Sequence, residues 1–164
     1  MSTWYCPRSI IFAPGDKPEL VLKALRSHAD TVCIDLEDGV AEINKASARI
    51  KLAEYVEAAS SNSMRLWVRL NGDLVSCAAD ITALPHGIEA VVLPKARGWN
   101  HIQFVFESII DKFSEQQGFF GIIPMVEDIA ALGSLRQSPM ISATGVLALA
   151  LGPEDLASDL GVQP

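Results

Sequence analysis

The sequence lacks the features that mark several large classes of protein. It has only three cysteines, an odd number at wide spacing, so we expect reduced thiols and a cytoplasmic protein instead of a disulfide framework. No apolar run approaches the roughly 20 residues of a membrane span, and the first residues show no signal-peptide pattern. Basic residues are few, 13 against 20 acidic ones, and the net charge of −7 argues against a nucleic-acid partner.

Nucleotide-binding glycine motifs are also missing, because neither GxGxxG nor GxxxxGK[ST] occurs. What the 164 residues do contain is a 49% hydrophobic share, enough to build the core of one domain over residues 1–164. Apolar strand-like stretches alternate with helical ones along the whole chain. This alternation favours a parallel α/β sheet with right-handed crossovers.

Six strands are predicted, and helices separate most of them. The strands are Arg8–Gly15, Thr31–Asp38, Arg65–Asn71, Ala90–Lys95, Phe119–Asp128 and Val146–Leu151. The helices are one capped by Asp16 and reaching about His28, then Glu42–Ala59, Leu74–Leu84, Asn100–Phe113, Ile129–Arg136 and a last one from Leu156 onward. Polar residues gather at the carboxyl ends of the strands, as in a (β/α) barrel. A full TIM barrel has eight units and about 250 residues, so we predict an incomplete one with about six.

The alternation of side chains along a strand predicts which face of the sheet carries the first group of candidate site residues. In the second strand Glu37 lies on the face opposite Val32, Ile34 and Leu36, and Asp38 ends the strand. In the third strand Arg69 lies on the face opposite Leu66, Val68 and Leu70. We therefore expect Glu37 and Arg69 to point into the barrel. Arg69 could clamp a carboxylate or an enolate oxygen, or pair with Glu37 structurally, and both interpretations remain open.

Two acids and one lysine form the second group of candidates. Glu127 and Asp155 end neighbouring strands without a histidine or cysteine beside them, which suits Mg²⁺ or Mn²⁺. The alternative is that both are ordinary helix-start acids. Lys95 shares a strand face with Val91 and Leu93, and it could form a Schiff base, although a structural ion pair is the favoured interpretation. Just before Asp155, the run Val146–Leu151 is expected to be a strand buried on both faces.

The stretches RSIIFAPGDKPE, ADTVCIDLEDGV, VRLN, AVVLPKA, PMVED and ALGPEDLASDLG occur in this order along nearly the whole chain. Together they resemble the HpcH/HpaI aldolase and citrate lyase β-subunit family, and within it the CitE-like acyl-CoA lyases. The resemblance implies a TIM barrel in which Glu127 and Asp155 hold the metal. It also implies that Arg69 and Arg8 contact substrate and that the acids Glu37 and Asp38 take part in catalysis. By this resemblance, we expect a family member truncated at its carboxyl end.

The expected function is a Mg²⁺-dependent carbon–carbon lyase. It would reversibly cleave a 3-hydroxyacyl thioester, such as citryl-CoA or malyl-CoA, into an acyl thioester and a 2-oxo acid by Claisen-type chemistry. The thioester carrier could be CoA or an acyl-carrier protein. Two alternatives remain, an inactive barrel fragment that serves as a binding or assembly module, and a pyruvate-type class II aldolase. Six strands leave two apolar edges, SIIFA and VLALAL, so we expect a homo-oligomer.

Overall fold

Six parallel strands, hydrogen-bonded in the order in which they occur along the chain, form one sheet that curls into a half-barrel. The computed structural model describes residues 5–96, 98–113, 121–137 and 145–163. The strands are β1 (Ile10–Pro14), β2 (Thr31–Asp35), β3 (Arg65–Arg69), β4 (Ala90–Leu93), β5 (Gly121–Val126) and β6 (Ala150–Leu151). The helices are α1 (Pro18–Leu25), α2 (Lys45–Ile50), α3 (Leu52–Ser61), α4 (Leu74–Ala83), α5 (Trp99–Phe113), α6 (Ile129–Gln137) and α7 (Pro153–Leu160).

The two faces of the sheet carry different side chains, as strand alternation predicts. The face toward the helices holds the larger apolar cluster, which includes Val32, Ile34, Leu36, Leu66, Val68, Leu70, Val91 and Leu93. The inner face of the curl holds a smaller cluster of Cys33, Trp67, Ala90, Val92 and Ile123. The predicted α/β half-barrel and the division of β2 and β3 between its two faces are confirmed.

Two details of the predicted helices are wrong. Asp16 does not cap α1, because Lys17 occupies the N-cap position and the carboxylate of Asp16 instead accepts a 2.8 Å hydrogen bond from the Asn44 amide. The single helix expected over 42–59 is divided into a 3₁₀ turn at Glu42–Asn44, α2 and α3, with the break at Lys51. A tertiary contact explains the first difference. Residues 42–59 contain neither proline nor glycine, so the sequence does not signal the second difference, the break at Lys51.

The predicted buried sixth strand is also wrong in its extent and burial. Only Ala150 and Leu151 form β6, and Val146 makes an isolated bridge to Ile122. Leu151 is 63% exposed, since β6 pairs with β5 on one side and no strand covers its other side in the part of the chain that the structure describes. β1 is the opposite edge, and its first three residues are each more than a third exposed. Within the described ranges, no helix is long and apolar enough to cross a membrane.

Candidate active site

Arg69 is fixed at the carboxyl end of β3 by Asp35 of the neighbouring strand. The two residues are register partners, and the guanidinium donates from Nε to Oδ1 at 2.8 Å and from Nη2 to Oδ2 at 2.7 Å. Burial works against the charge of Arg69, but the hydrogen bonds to Asp35 prevail and raise its pKa. Asp35 also accepts hydrogen bonds from the backbone N–H groups of Glu37 and Gly39. This carboxylate therefore orients both the arginine and the loop after β2.

Sequence reasoning overlooked Asp35 as a site residue, although the signal was present. Asp35 lies on the same strand face as Glu37, and a parallel register between β2 and β3 sets it beside Arg69. The predicted partner of Arg69, Glu37, is a weaker contact, with 3.4 Å between Nη1 and Oε2. The structural ion pair anticipated for Arg69 therefore exists, but its main partner is Asp35.

Glu37 is buried and forms its shorter ion pair with Lys95. The distance from Lys95 Nζ to Glu37 Oε1 is 3.0 Å, and Asp38, which is largely exposed, lies 3.8 Å from the same nitrogen. Burial raises the pKa of the Glu37 carboxyl, and the Lys95 ammonium offsets part of that rise. In return, the contact with Glu37 raises the pKa of Lys95, which keeps the ammonium protonated. This geometry agrees with the ion-pair interpretation of Lys95 and not with a Schiff-base lysine.

Lys95 reaches this position because its backbone is left-handed, with φ of +48°. Val91 and Leu93 pack toward the helices, and simple alternation would have directed Lys95 to the same side. Its side chain instead turns to Glu37, while its backbone N–H donates to Oε1 of Glu127 at 2.6 Å. One residue thus contacts acids that follow two different strands, β2 and β5.

Glu127 follows β5 and is buried, whereas Asp155 lies exposed in the first turn of α7. Burial raises the pKa of Glu127, and the negative charge of Asp155 adds to the rise. Glu127 packs closely against Gly152, because an added Cβ at position 152 would lie only 2.7 Å from the Glu127 Cβ and 3.0 Å from its Oε2. Among the described residues, no three His, Cys, Asp or Glu side chains are grouped to hold a metal.

A second buried network supports the loop after β3. Asp80 of α4 is fully buried, and it accepts hydrogen bonds from the backbone and side chain of Asn71 and from Nε of Arg49. Asn71 also donates to the carbonyl of Leu36 and accepts from Lys45. Burial raises the pKa of Asp80, while these donors oppose the shift. Asn71 therefore joins α2 and α4 to the ends of β2 and β3.

A pocket of about 870 Å³ is lined by residues that follow β2, β3 and β4, but not by Arg69, Glu127 or Asp155. Its polar lining includes Glu37, Asp38, Lys45 and Lys95, and its apolar lining comes from α4 and α5. The apolar residues are Leu74, Val75 and Phe104, all of which are more than half exposed. The pocket can therefore contact both charged and apolar groups of a ligand.

Arg8 is not brought to this pocket. It precedes β1, at the amino end of the sheet, and pairs with Asp30 through Nε at 2.9 Å and Nη2 at 2.8 Å. The other five residues expected at the site, Glu37, Asp38, Arg69, Glu127 and Asp155, all lie at the carboxyl ends of the strands. The substrate role expected for Arg8 remains a prediction.

The sequence profile of the HpcH/HpaI aldolase/citrate lyase family matches residues 8–164. An L-malyl-CoA/β-methylmalyl-CoA lyase of Cereibacter sphaeroides is 31% identical over an alignment of 182 positions. The alignment covers 95% of this chain and 51% of that enzyme. The citrate lyase subunit beta of Leuconostoc mesenteroides subsp. cremoris is 30% identical, over 93% of this chain and 52% of that protein. The chain thus spans about half the length of the curated relatives it matches.

Solved structures show the same likeness. The citrate lyase beta subunit of M. tuberculosis, complexed with oxaloacetate and magnesium, superimposes with a TM-score of 0.65 at 30% identity. The match covers 94% of this chain and 62% of that one. The resemblance first drawn from sequence motifs therefore extends to the three-dimensional arrangement of the half-barrel.

Proposed function

This chain belongs to the HpcH/HpaI aldolase/citrate lyase family, and from that premise we propose that it carries the catalytic residues of a Mg²⁺-dependent carbon–carbon lyase. The proposed substrate is a 3-hydroxyacyl thioester, with citryl-CoA and malyl-CoA as the first compounds to test. The relatives named as lyases support a catalytic role over that of an inactive binding module.

One observation carries the proposal. A guanidinium held by Asp35 and the carboxylates of Glu127 and Asp155 all lie at the carboxyl ends of parallel strands, where barrel enzymes have their active sites. Arg69 is already oriented by Asp35, so it needs no rearrangement to meet a developing negative charge. Glu127, directly after β5, and Asp155, in the first turn of α7 after β6, would supply two hard oxygen ligands.

In the proposed cleavage, the bond between carbons 2 and 3 of the substrate breaks. Its electron pair moves onto the thioester as an enolate, the 3-hydroxyl proton leaves, and carbon 3 becomes the carbonyl of the 2-oxo acid. A proton then returns to carbon 2 to give the acyl thioester. We assign stabilisation of the enolate oxygen to Arg69, whose Nε is engaged by Asp35 while Nη1 faces Glu37. Glu37 and Asp38 would orient the water through which protons enter and leave.

The residues present fit a magnesium ion. Oε1 of Glu127 accepts the Lys95 N–H, whereas Oε2 lies on the side of Gly152, where the absence of a side chain lets the backbone approach the carboxylate closely. Two carboxylates alone do not complete an octahedral shell, but Mg²⁺ usually keeps several waters or substrate oxygens beside one or two protein carboxylates. Held by Glu127 and Asp155, the ion would supply Lewis-acid stabilisation of the 2-oxo acid's oxygen.

Three further assignments belong to the same proposal. The thioester is carried by CoA or by an acyl-carrier protein. We propose a homo-oligomer because both edge strands expose apolar side chains. A cytoplasmic location is proposed from the cysteines, since Cys6, Cys33 and Cys77 are all free thiols.

Steady-state turnover tests the proposal directly. The chain is incubated with malyl-CoA or citryl-CoA and Mg²⁺, and the 2-oxo acid released is measured as its phenylhydrazone. We expect release that depends on added Mg²⁺ and is abolished by EDTA. Absence of turnover with both thioesters, in protein that is folded and binds metal, would favour the binding-module interpretation.

The metal site has its own test, which does not require activity. Isothermal titration with Mn²⁺ should show binding to the unsubstituted chain and its loss in Glu127→Ala and in Asp155→Ala. Glu154→Ala is the matched control, because Glu154 lies in the same turn of α7. Unchanged Mn²⁺ affinity in both acid variants would remove the metal-site proposal.

A further inference from the structure

We propose that Lys95 is a positioning residue of this site, which sets two catalytic acids relative to each other through two different groups. Its ammonium holds the carboxylate of Glu37, and its backbone N–H holds the carboxylate of Glu127. The inference rests on the proposed lyase function, because it assigns a task in that reaction to a residue outside the set first expected.

The backbone of Lys95 supports this assignment. Residues with a side chain seldom adopt positive φ, and such conformations gather at functional sites, where the surrounding structure maintains them. Of the non-glycine residues that the structure describes, only Ser63 and Lys95 have positive φ. Ser63 lies in the turn that follows α3, whereas Lys95 lies between two buried acids. The left-handed turn is what brings the ammonium and the N–H of one residue to the same side of the sheet.

The partners of Glu37 make the ammonium necessary. Glu37 is buried, and its other cationic neighbour, Arg69, already gives two hydrogen bonds to Asp35 and approaches Glu37 only to 3.4 Å. The Lys95 ammonium lies 3.0 Å from Glu37 and is therefore its main counter-charge. Without the Lys95 ammonium, the Glu37 carboxylate would lose its closer partner, and its side chain would no longer be held in its present orientation.

Gly72 shapes the space that Lys95 occupies. A Cβ at position 72 would lie 3.2 Å from both Cβ and Cδ of Lys95 and 3.4 Å from Oε1 of Glu37. Gly72 itself has no positive φ, so alanine is allowed there by the backbone and would act only by contact. The glycine therefore leaves the room in which the lysine side chain reaches Glu37. It also offers a way to displace Lys95 without altering any charge.

Four variants test the proposal. Lys95→Met removes the ammonium, Lys95→Arg restores a cation, and Gly72→Ala presses on the lysine stem. Lys23→Met is the control for loss of an exposed positive charge on α1. We expect Lys95→Met to lower kcat by about 10²-fold, a cost typical of displaced catalytic groups, and Gly72→Ala to lower it by less, because the lysine stem has to shift only slightly. Lys95→Arg should recover part of the loss, and the affinity for Mn²⁺ alone should stay within about threefold, because position 95 keeps its N–H.

A readout independent of turnover accompanies these assays. In urea unfolding, Lys95→Met should lower the midpoint of the unsubstituted chain, but it should have little effect in a Glu37→Gln background. This coupling and the Mn²⁺ titrations report on Lys95 even if neither thioester is a substrate. Failure of the lyase proposal and failure of the Lys95 proposal are therefore distinguishable.

Three results would overturn the role assigned to Lys95. The first is kcat of Lys95→Met within twofold of the unsubstituted enzyme. The second is loss of Mn²⁺ affinity in Lys95→Met as large as in Glu127→Ala, which would mean that the side chain acts on the metal site. The third is additive unfolding shifts of Lys95→Met and Glu37→Gln, which would show that the two side chains are not coupled.

Discussion

Replacing Asp35 by asparagine should be among the most damaging conservative changes in this protein. The carboxylate accepts four hydrogen bonds, two from Arg69 and one each from the backbone of Glu37 and Gly39. An asparagine keeps one acceptor oxygen and presents N–H donors where the second oxygen was. If the amide nitrogen replaces Oδ2, it faces the Gly39 N–H, now 2.8 Å from that oxygen, and Nη2 of Arg69, now at 2.7 Å.

The magnitude follows from those two donors. Each buried donor left without an acceptor costs about 1–3 kcal/mol, so the Asp35→Asn change should lower the free energy of unfolding by about 3 kcal/mol. Complete removal of one member of a buried ion pair costs about 3–5 kcal/mol, which sets the scale for Asp35→Ala. Small domains are stable by about 5–15 kcal/mol in total, so either change should lower the unfolding midpoint by a measurable amount.

Urea unfolding followed by circular dichroism measures the effect. Asp38→Asn is the matched control, because Asp38 is an acid three residues away that is 60% exposed and approaches Lys95 only to 3.8 Å. The control should stay within about 0.5 kcal/mol of the unsubstituted protein. Equal unfolding midpoints for Asp35→Asn and Asp38→Asn would refute the reasoning, since they would show that the hydrogen bonds to Asp35 contribute no net stability.

Three other outcomes are expected. Arg69→Lys should lower kcat by about 10²-fold, because lysine cannot reproduce the two-pronged contact with Asp35, and an effect on KM alone would make Arg69 a uniform binding residue. Hydrogen bonds from Arg8 lower the pKa of Asp30 from 3.8 to about 2, so their stabilisation should persist above pH 4 and disappear as the pH falls toward 2. The test is to measure the free energy of unfolding as the pH falls. The prediction is wrong if Asp30→Asn, which lacks this carboxylate, loses as much stability between pH 4 and pH 2 as the unsubstituted protein. Light scattering after size exclusion should show an oligomer that Ile11→Lys dissociates, and a monodisperse 17.7 kDa monomer would exclude edge association.

The sequence was sufficient wherever one simple regularity controlled the structure. Period-two alternation predicted which face of β2 and β3 meets the helices, and it predicted that Glu37 and Arg69 point into the curl. Alternating apolar strands and helices predicted a parallel sheet, and the polar strand ends predicted that charged side chains gather at its carboxyl edge. These inferences depend on local geometry that the chain repeats several times, so a few wrong boundaries did not alter them.

Other features depended on contacts that no local pattern contains. The inward turn of Lys95 results from a single left-handed residue, and the sequence LPKA has no glycine to announce it. Asp35 became visible as the partner of Arg69 only through the register of β2 and β3. The apolar run before Gly152 suggested a buried strand, but β6 is an edge, so most of that run is partly or largely exposed. Strand order and register, which decide all three cases, are properties of the whole sheet.

The order of the strands also has a consequence for how the protein is made. Because each strand pairs with the one before it, the sheet can assemble progressively as the chain leaves the ribosome, one crossover at a time. The cluster of Asp35, Glu37, Arg69 and Lys95 can form once synthesis has passed β4. The acid pair of Glu127 and Asp155 must wait for α7. A ribosome-stalled chain ending after β4 should therefore already contain the Arg69–Asp35 ion pair, and the proposed metal site should form last.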